Sequence, residues 1–469
     1  MSETDKNEIA IIDALVEKAR IAQAKLEAKA DQDLLDRAAE AIAWALIDPT
    51  RNEALSIEAV ASTGLGNVAD KIRKNHRKTL GLLSDLQNVR SFGHIEDDPQ
   101  KGLSTYFRPK GVVAAIVPST NPLATPVNNA INALKTGNAI ILAPSPKGSE
   151  VLAKLIGYIH DEFARLGIDK DLVQMVPNPP SKEKTKQLMS LADILVVTGS
   201  QNNVRSAYAS GTPAIGVGMG NVVTIIDETA NLDEAATKIA QSKIFDNATS
   251  CSSENAIITM ASRYEETIEA LQQAGGYLLN AGEVAHLEQT YFGGGKMHRG
   301  IMAQDMDKML SVLGFDHIPA STKFLIAPTD KIGKAHKISG EKMALFLALY
   351  KASSFDEAVT LGIAIQKGQG AGHSIGLHSQ DDSRAHKMAM AVPTCRVIVN
   401  QAHCFATGGS FDNGLPFSLS MGCGSWGGNS IDENFNWRHL VNKTVIARPI
   451  APQEPTIDEI FSSYFKAIS

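Results

Sequence analysis

The chain has 469 residues, 43% of them hydrophobic and 20% charged, with a formal net charge of −6. That balance suits an ordinary globular protein of more than one domain and argues against a nucleic-acid partner held by bulk charge. The four cysteines, Cys251, Cys395, Cys404 and Cys423, form no CxxC pair, so neither a zinc site nor a disulfide framework is indicated.

The N-terminus, MSETDKNEIA, is polar and acidic and lacks the basic start and apolar core of a signal peptide. No apolar run approaches the roughly 20 residues needed to span a bilayer. With so few cysteines the expected location is the reducing cytoplasm, with no membrane partner. From about Asn7 to Leu46, and again from Ser56 to Leu86, apolar residues recur three and four apart, which predicts helices. Ser91 to Lys110 reads as loop and extended chain.

At Gly111 the texture changes. GVVAAIVP is a nearly continuous apolar run, as expected of a strand buried on both faces. AIILAP from Ala139, LVQMVP from Leu172, ILVVTG from Ile194 and VVTIID from Val222 follow, with helical stretches between most of them. The alternation predicts an α/β fold with a parallel sheet. Ligands bind at the carboxyl ends of such strands. That directs attention to Pro118–Pro126, Pro144–Gly148, Thr198–Asn202 and Gly216–Asn221. A second α/β stretch begins near Asn255, with strands expected at NAIITM, TKFLIAP, ALFLALYKA, HSIGLHS and CRVIVNQ. Gly408 to Asn434 reads as a long ordered loop, because its Phe, Leu, Met and Trp content argues against disorder.

Cys251 lies in FDNATSCSSENAIIT, between a predicted helix ending at Phe245 and a predicted strand from Asn255. Its neighbours Thr249, Ser250, Ser252 and Ser253 are small and polar. A thiol displayed on such a loop suits addition to an electrophilic carbonyl, whereas a merely packing cysteine is usually buried among apolar neighbours. Oxidation of an aldehyde also needs donors for the oxyanion formed on thiol addition. Asn121, beside Pro122 in PSTNPLATP, offers an amide that stays neutral at every working pH. The TGS turn at Thr198 ends a strand and precedes a helix, where a pyrophosphate can sit.

Together the Cys251 segment, the TNP loop, the TGS turn and the tail LSMGCGSWGGNSIDENFNWRHLVN resemble the aldehyde dehydrogenase superfamily, in its CoA-acylating branch. The resemblance implies an aldehyde dehydrogenase-like α/β fold: a Rossmann-like cofactor domain over 1–240, a catalytic domain over 241–435, and an oligomerisation flap. Residues 93–110 join that flap and 436–469 return to it. It implies Cys251 as nucleophile, with the Asn121 amide and the Cys251 N–H as the oxyanion hole. Pro118, Ser119, Thr198, Gly199, Ser200 and Gly218 fall to the nicotinamide cofactor, NADP or NAD. Ser145 and Lys147 stand where the adenosine ribose or a 2′-phosphate is bound. Glu341 matches the glutamate that holds the nicotinamide ribose, although Ala344 and Leu345 replace the usual Gly-Pro after it. His373, in GAGHSIG, matches a histidine of acylating relatives. Asn129, Ser250 and Ser252 are expected at the substrate, with Asn128, Thr249 and Arg205 as further donors for an anionic tail.

One departure decides the acyl acceptor. Hydrolytic relatives carry a glutamate that activates water, and the matching stretch here, IGVGMGN, has no acid or base. The expectation is therefore transfer to coenzyme A, with sulfoacetaldehyde as substrate ahead of succinate semialdehyde or acetaldehyde. A homodimer or homotetramer is expected, and no metal. The rival readings are a hydrolytic aldehyde dehydrogenase and a catalytically silent oligomeric scaffold.

Overall fold

The computed structural model describes residues 3–468; residues 1, 2 and 469, at the outer ends of the first and last expected segments, lie outside the described residues. Four helices open the chain: α1 (Glu3–Lys29), α2 (Gln32–Ile47), α3 (Pro49–Thr63) and α4 (Val68–Leu86). Their breaks have local causes. Asp31 caps α2 by accepting from the Leu34 N–H at 2.8 Å, Pro49 opens α3, and Gly64 closes it with φ of 70°. Two strands follow, β1 (Gly93–Asp98) and β2 (Leu103–Pro109).

The first α/β unit comprises β3 (Val112–Ile116), α5 (Ala124–Lys135), β4 (Ala139–Ala143), α6 (Ser149–Leu166), β5 (Val173–Met175), α7 (Lys182–Leu191), β6 (Ile194–Val197), α8 (Gln201–Tyr208) and β7 (Ala214–Gly216). Its five parallel strands lie in the order β5-β4-β3-β6-β7. Both faces are covered by helices, which is why β3 and β4 are buried at every position.

The second unit holds β8 (Val222–Ile226), α9 (Leu232–Ile244), β9 (Glu254–Met260), β10 (Gly276–Leu278), β11 (Phe324–Pro328), β12 (Phe346–Ala352), β13 (Ile375–His378) and β14 (Val397–Val399). These form a seven-stranded sheet in the order β10-β11-β12-β9-β8-β13-β14. This corrects the expected place of VVTIID. It is not the last strand of the first sheet but a central strand of the second, between β9 and β13. The short β7 takes the edge of the first sheet instead, so the chain changes sheets between Gly216 and Val222, ahead of the expected division at 240.

Finally β15 (Val441–Ala447) pairs antiparallel with β2, completing a three-stranded sheet with β1. The terminal helix Ile457–Ile468 is exposed throughout. Among the described residues no helix is long and apolar enough to cross a membrane.

Candidate active site

The nucleophile turn begins where α9 ends. Asp246, Asn247 and Ala248 all have left-handed backbones, with φ of 49°, 54° and 59°. Three such residues in a row cost energy unless the surroundings hold them. Here they do. The Asp246 N–H donates to Asp70 Oδ2 at 2.8 Å, and Asp246 Oδ1 accepts from the Asn67 N–H at 3.1 Å. Asp246 Oδ2 takes the ammonium of Lys74, that of Lys71 at 3.2 Å and the Thr249 hydroxyl at 2.7 Å. Burial works to raise the Asp246 pKa, yet the charges of Lys74 and Lys71 hold it below the usual carboxylate range. The same Lys74 ammonium donates to Asn121 Oδ1 at 2.7 Å. With its oxygen so engaged, the Asn121 amide presents its N–H2 as the free end, and one lysine joins the TNP loop to the nucleophile turn.

Cys251 sits beyond this strained triplet. Burial and the Glu341 carboxylate push its thiol up to about 12, so a base must remove the proton. His373 Nε2 lies 3.4 Å from Cys251 Sγ. Burial and the nearby Arg396 charge hold His373 down to about 3, which keeps the imidazole neutral; so weak a base takes the thiol proton only in concert with carbon–sulfur bond formation. Its Nδ1 meets Ser374 Oγ at 2.8 Å, and Ser374 Oγ meets His403 Nε2 at 2.8 Å. The consistent proton assignment has His373 Nδ1–H donating to Ser374 and the Ser374 hydroxyl donating to His403, leaving Nε2 free to accept from the thiol. Arg396 fixes this relay from below, donating to the His373 carbonyl at 2.9 Å, the Gly422 carbonyl at 2.9 Å and Asn434 Oδ1 at 2.9 Å.

The other side of Cys251 is a wall of backbone. A Cβ added to Gly220 would overlap the Cys251 carbonyl, one on Gly218 would lie 2.7 Å from Cys423 Sγ, and one on Gly216 would lie 2.6 Å from Val204. This loop is glycine because nothing larger fits. Gly218 therefore packs against Cys423. Ser250 and Ser252 flank the thiol with their hydroxyls 2.8 Å apart, bonded to each other.

Apart from Gly218 and Glu341, the residues expected at a cofactor stand at the carboxyl ends of neighbouring β4, β3 and β6. Pro118 and Ser119 follow β3, and a Cβ on Gly199 would lie 4.0 Å from Pro118. Thr198 Oγ1 lies 2.5 Å from Ser420 Oγ, and Ser200 caps α8 by accepting from the Asn203 N–H at 3.3 Å. Ser145 Oγ and Gln201 Nε2 are buried without a partner. Unpaired donors at the ends of the two strands flanking β3, beside a glycine that keeps the approach open, fit a dinucleotide. The Lys147 ammonium donates to the Thr63 carbonyl at 3.1 Å, so it must leave that bond to reach a ribose. Glu341 lines a cavity of about 320 Å³ with Met219 and Gln369, and burial raises its pKa to about 7.

The remaining expected donors and the other cysteines are differently placed. Arg205 is exposed on α8, on the first sheet's unit. Cys404 is buried, its N–H donating to Ser242 Oγ at 2.9 Å. Asn128 and Asn129 are buried on α5 with their amides unpaired. Sequence reasoning missed Lys71, Lys74, Lys78 and Ser374. Lysines at helical spacing read as a solvated face, whereas these three are buried.

A thiol, a neutral histidine at its side, a free amide and a dinucleotide-shaped crevice define an oxidoreductase that works through a covalent intermediate. A model of the aldehyde dehydrogenase family matches residues 2–294. The chain is 51% identical over 456 residues to the acylating sulfoacetaldehyde dehydrogenase of Cupriavidus necator, covering 97% of this chain and 92% of that one. It is 36% identical to the acetylating succinate-semialdehyde dehydrogenase of Clostridium kluyveri, covering 93% of this chain and 95% of that one. An acetylating aldehyde dehydrogenase structure from Geobacillus thermoglucosidasius superposes with a TM-score of 0.92 at 31% identity, over 97% of this chain and 100% of that one. The chain belongs to the aldehyde dehydrogenase family.

Proposed function

We propose that this enzyme oxidises sulfoacetaldehyde to its acyl-CoA. His373 Nε2 takes the Cys251 proton as the sulfur adds to the carbonyl carbon. The Asn121 N–H2 and the Cys251 N–H hold the resulting oxyanion. Bound NADP or NAD supplies the hydride acceptor, which leaves a thioester on Cys251. Thr198, Gly199 and Ser200 hold the phosphates, with Pro118, Ser119 and Gly218 at the edge of the crevice. Ser145 and Lys147 hold the adenosine ribose, and Glu341 holds the nicotinamide ribose. Ser250, Ser252 and Asn129 shape the surroundings of the carbonyl. His373 releases the first proton to solvent, then takes the proton of the coenzyme A thiol as that sulfur attacks the thioester, and passes it to the departing Cys251 sulfur.

The glycine wall carries this reading. A Cβ on Gly220 would strike the Cys251 carbonyl, and the rest of IGVGMGN holds no acid or base, so that loop offers water no base. Losing such a base costs about 10²–10⁴-fold, whereas a thiolate is intrinsically more nucleophilic. The names of the relatives, acylating and acetylating, agree. The test supplies aldehyde and NADP⁺ or NAD⁺ with and without coenzyme A. Omission should slow steady turnover at least about 10²-fold; equal rates with release of free acid would overturn acyl transfer.

The enzyme is also proposed to work as a homodimer or homotetramer. Ile457, Ile460, Phe461, Tyr464, Phe465 and Ile468 form an apolar stripe exposed on the terminal helix, and a patch of that kind marks a protein contact. Light scattering of the full chain and of one ending at 455 reads this directly.

A further inference from the structure

Helix α4 inverts the usual rule for charged residues. Lys71, Lys74 and Lys78, spaced to fall on one stripe, are 3%, 6% and 8% exposed. Lys71 and Lys74 share the Asp246 carboxylate. Lys78, one turn on, has no carboxylate bonded to it. Its ammonium donates to the Gly408 carbonyl at 2.6 Å and the Gly409 carbonyl at 3.1 Å. Around it stand Arg77 and Lys74 on its own helix and the thiols of Cys251 and Cys404. Asp85, whose carboxylate accepts from the Phe417 N–H at 2.6 Å, is exposed and feels the Lys78 charge without bonding to it. A buried ammonium without a bonded carboxylate is costly, and this one lies within electrostatic reach of the nucleophile.

The neighbouring helix presents a matching gap. Ala124 lines a small cleft with Lys71, Lys74 and Asn121, and Asn128 lies one turn beyond Ala124 on the same face of α5. The two helices run in the same sense. The cleft joins their beginnings, and Ser91, just past α4, donates to the Lys135 carbonyl at the end of α5, 2.6 Å away. One turn along each helix therefore brings Lys78 and Asn128 to the same level. Asn128 is 3% exposed, and both polar atoms of its side chain lack a partner. Thr125 Oγ1, on the same helix, is also buried and unpaired. Native proteins rarely leave such groups unsatisfied, and a bound ligand is one of the things that satisfies them.

We infer that Lys78 and Asn128 form the subsite for the anionic tail of the aldehyde, a sulfonate or carboxylate held between α4 and α5 a short reach beyond Cys251. This inference rests on the reading of Cys251 as the nucleophile. The tail completes the charge on Lys78, and the Asn128 amide donates to a second oxygen. Lys74 stays with Asn121 and Asp246 as a positioning residue. Burial lowers Lys78 to about 7, so the unliganded site sheds its charge cheaply, and an entering anion restores it.

The test compares kcat/KM for sulfoacetaldehyde, succinate semialdehyde and propanal, read as nucleotide reduction in the full enzyme with coenzyme A. In the wild type at least one anion should outpace propanal. Lys78→Met should lower the anion-to-propanal ratio about 10²-fold, as when one member of a buried charge pair is removed. Asn128→Ala should lower it about tenfold. Lys78→Arg should retain most of it. Which anion loses more in Lys78→Met tells sulfonate from carboxylate. A ratio unchanged in Lys78→Met, or equal losses on all three aldehydes, overturns the subsite, and so does a wild type that favours propanal. If Lys78→Met does not fold, the Asn128→Ala ratio decides. Release of free acid instead of acyl-CoA would defeat the acylation reading while leaving the ratio measurable.

Discussion

Cys251 stands between two unlike walls. On one side the Gly216–Asn221 loop meets it with bare backbone, packed so closely that a methyl group at Gly220 would strike the Cys251 carbonyl. On the other, α4 and α5 offer ammonium groups, amides and a hydroxyl, several of them buried without partners. The glycine wall acts by exclusion, since it admits no side chain that could prepare water. The polar wall acts by attraction, since its groups are incomplete until an anion arrives. On the reading proposed above, the first would govern the acyl acceptor and the second the aldehyde.

Three experiments sharpen that contrast. The largest effect belongs to the histidine between the walls. His373→Ala should lower kcat about 10³-fold. Alkylation of Cys251 by iodoacetamide should also slow across the pH range, because the thiol, held up at about 12 by burial, has lost the base beside it. An unaltered alkylation profile would remove His373 from the relay.

Next comes the glycine wall. Gly220→Ala should cost about 10²-fold in kcat by pushing the nucleophile out of line, with anionic and neutral aldehydes losing equally. A loss confined to one class would erase the division of labour.

The smallest effect is a pH dependence on the polar wall. Lys78, held down to about 7 by burial, is charged below that pH and neutral above it. Anion binding is therefore lost as pH rises, and kcat/KM for sulfoacetaldehyde relative to propanal should fall about tenfold per unit above pH 7. The other groups around Lys78 do not reproduce this sign. Burial holds Cys404 up at about 12 and Cys251 likewise, while burial lowers Arg77 from a value far above the working range. Burial raises Asp85 only from the acid range. A flat ratio between pH 6 and 9 would remove Lys78 from the subsite.

Much of the architecture was legible because buried parallel strands announce themselves as continuous apolar runs. GVVAAIVP and AIILAP became β3 and β4, and NAIITM became β9. An apolar run names a strand, not its partners, so VVTIID was assigned to the wrong sheet. The three-residue β7 is too short to give any pattern. In the site, Cys251 and Asn121 stood out through their neighbours and through family resemblance. The left-handed triplet had a local signal, since Asp and Asn tolerate that backbone better than most residues. The cations of α4 had none, because helical periodicity places lysine in solvent by default. The 3.4 Å approach of His373 to the thiol joins positions 122 residues apart, and no local pattern carries such a contact.

Arg396 gives the molecule a timing. Its guanidinium binds the carbonyl of His373, the carbonyl of Gly422 and the side chain of Asn434 together, so the histidine acquires its final posture only once the chain as far as Asn434 is in place. The base beside the thiol is therefore set only when three separated segments of the chain have come together.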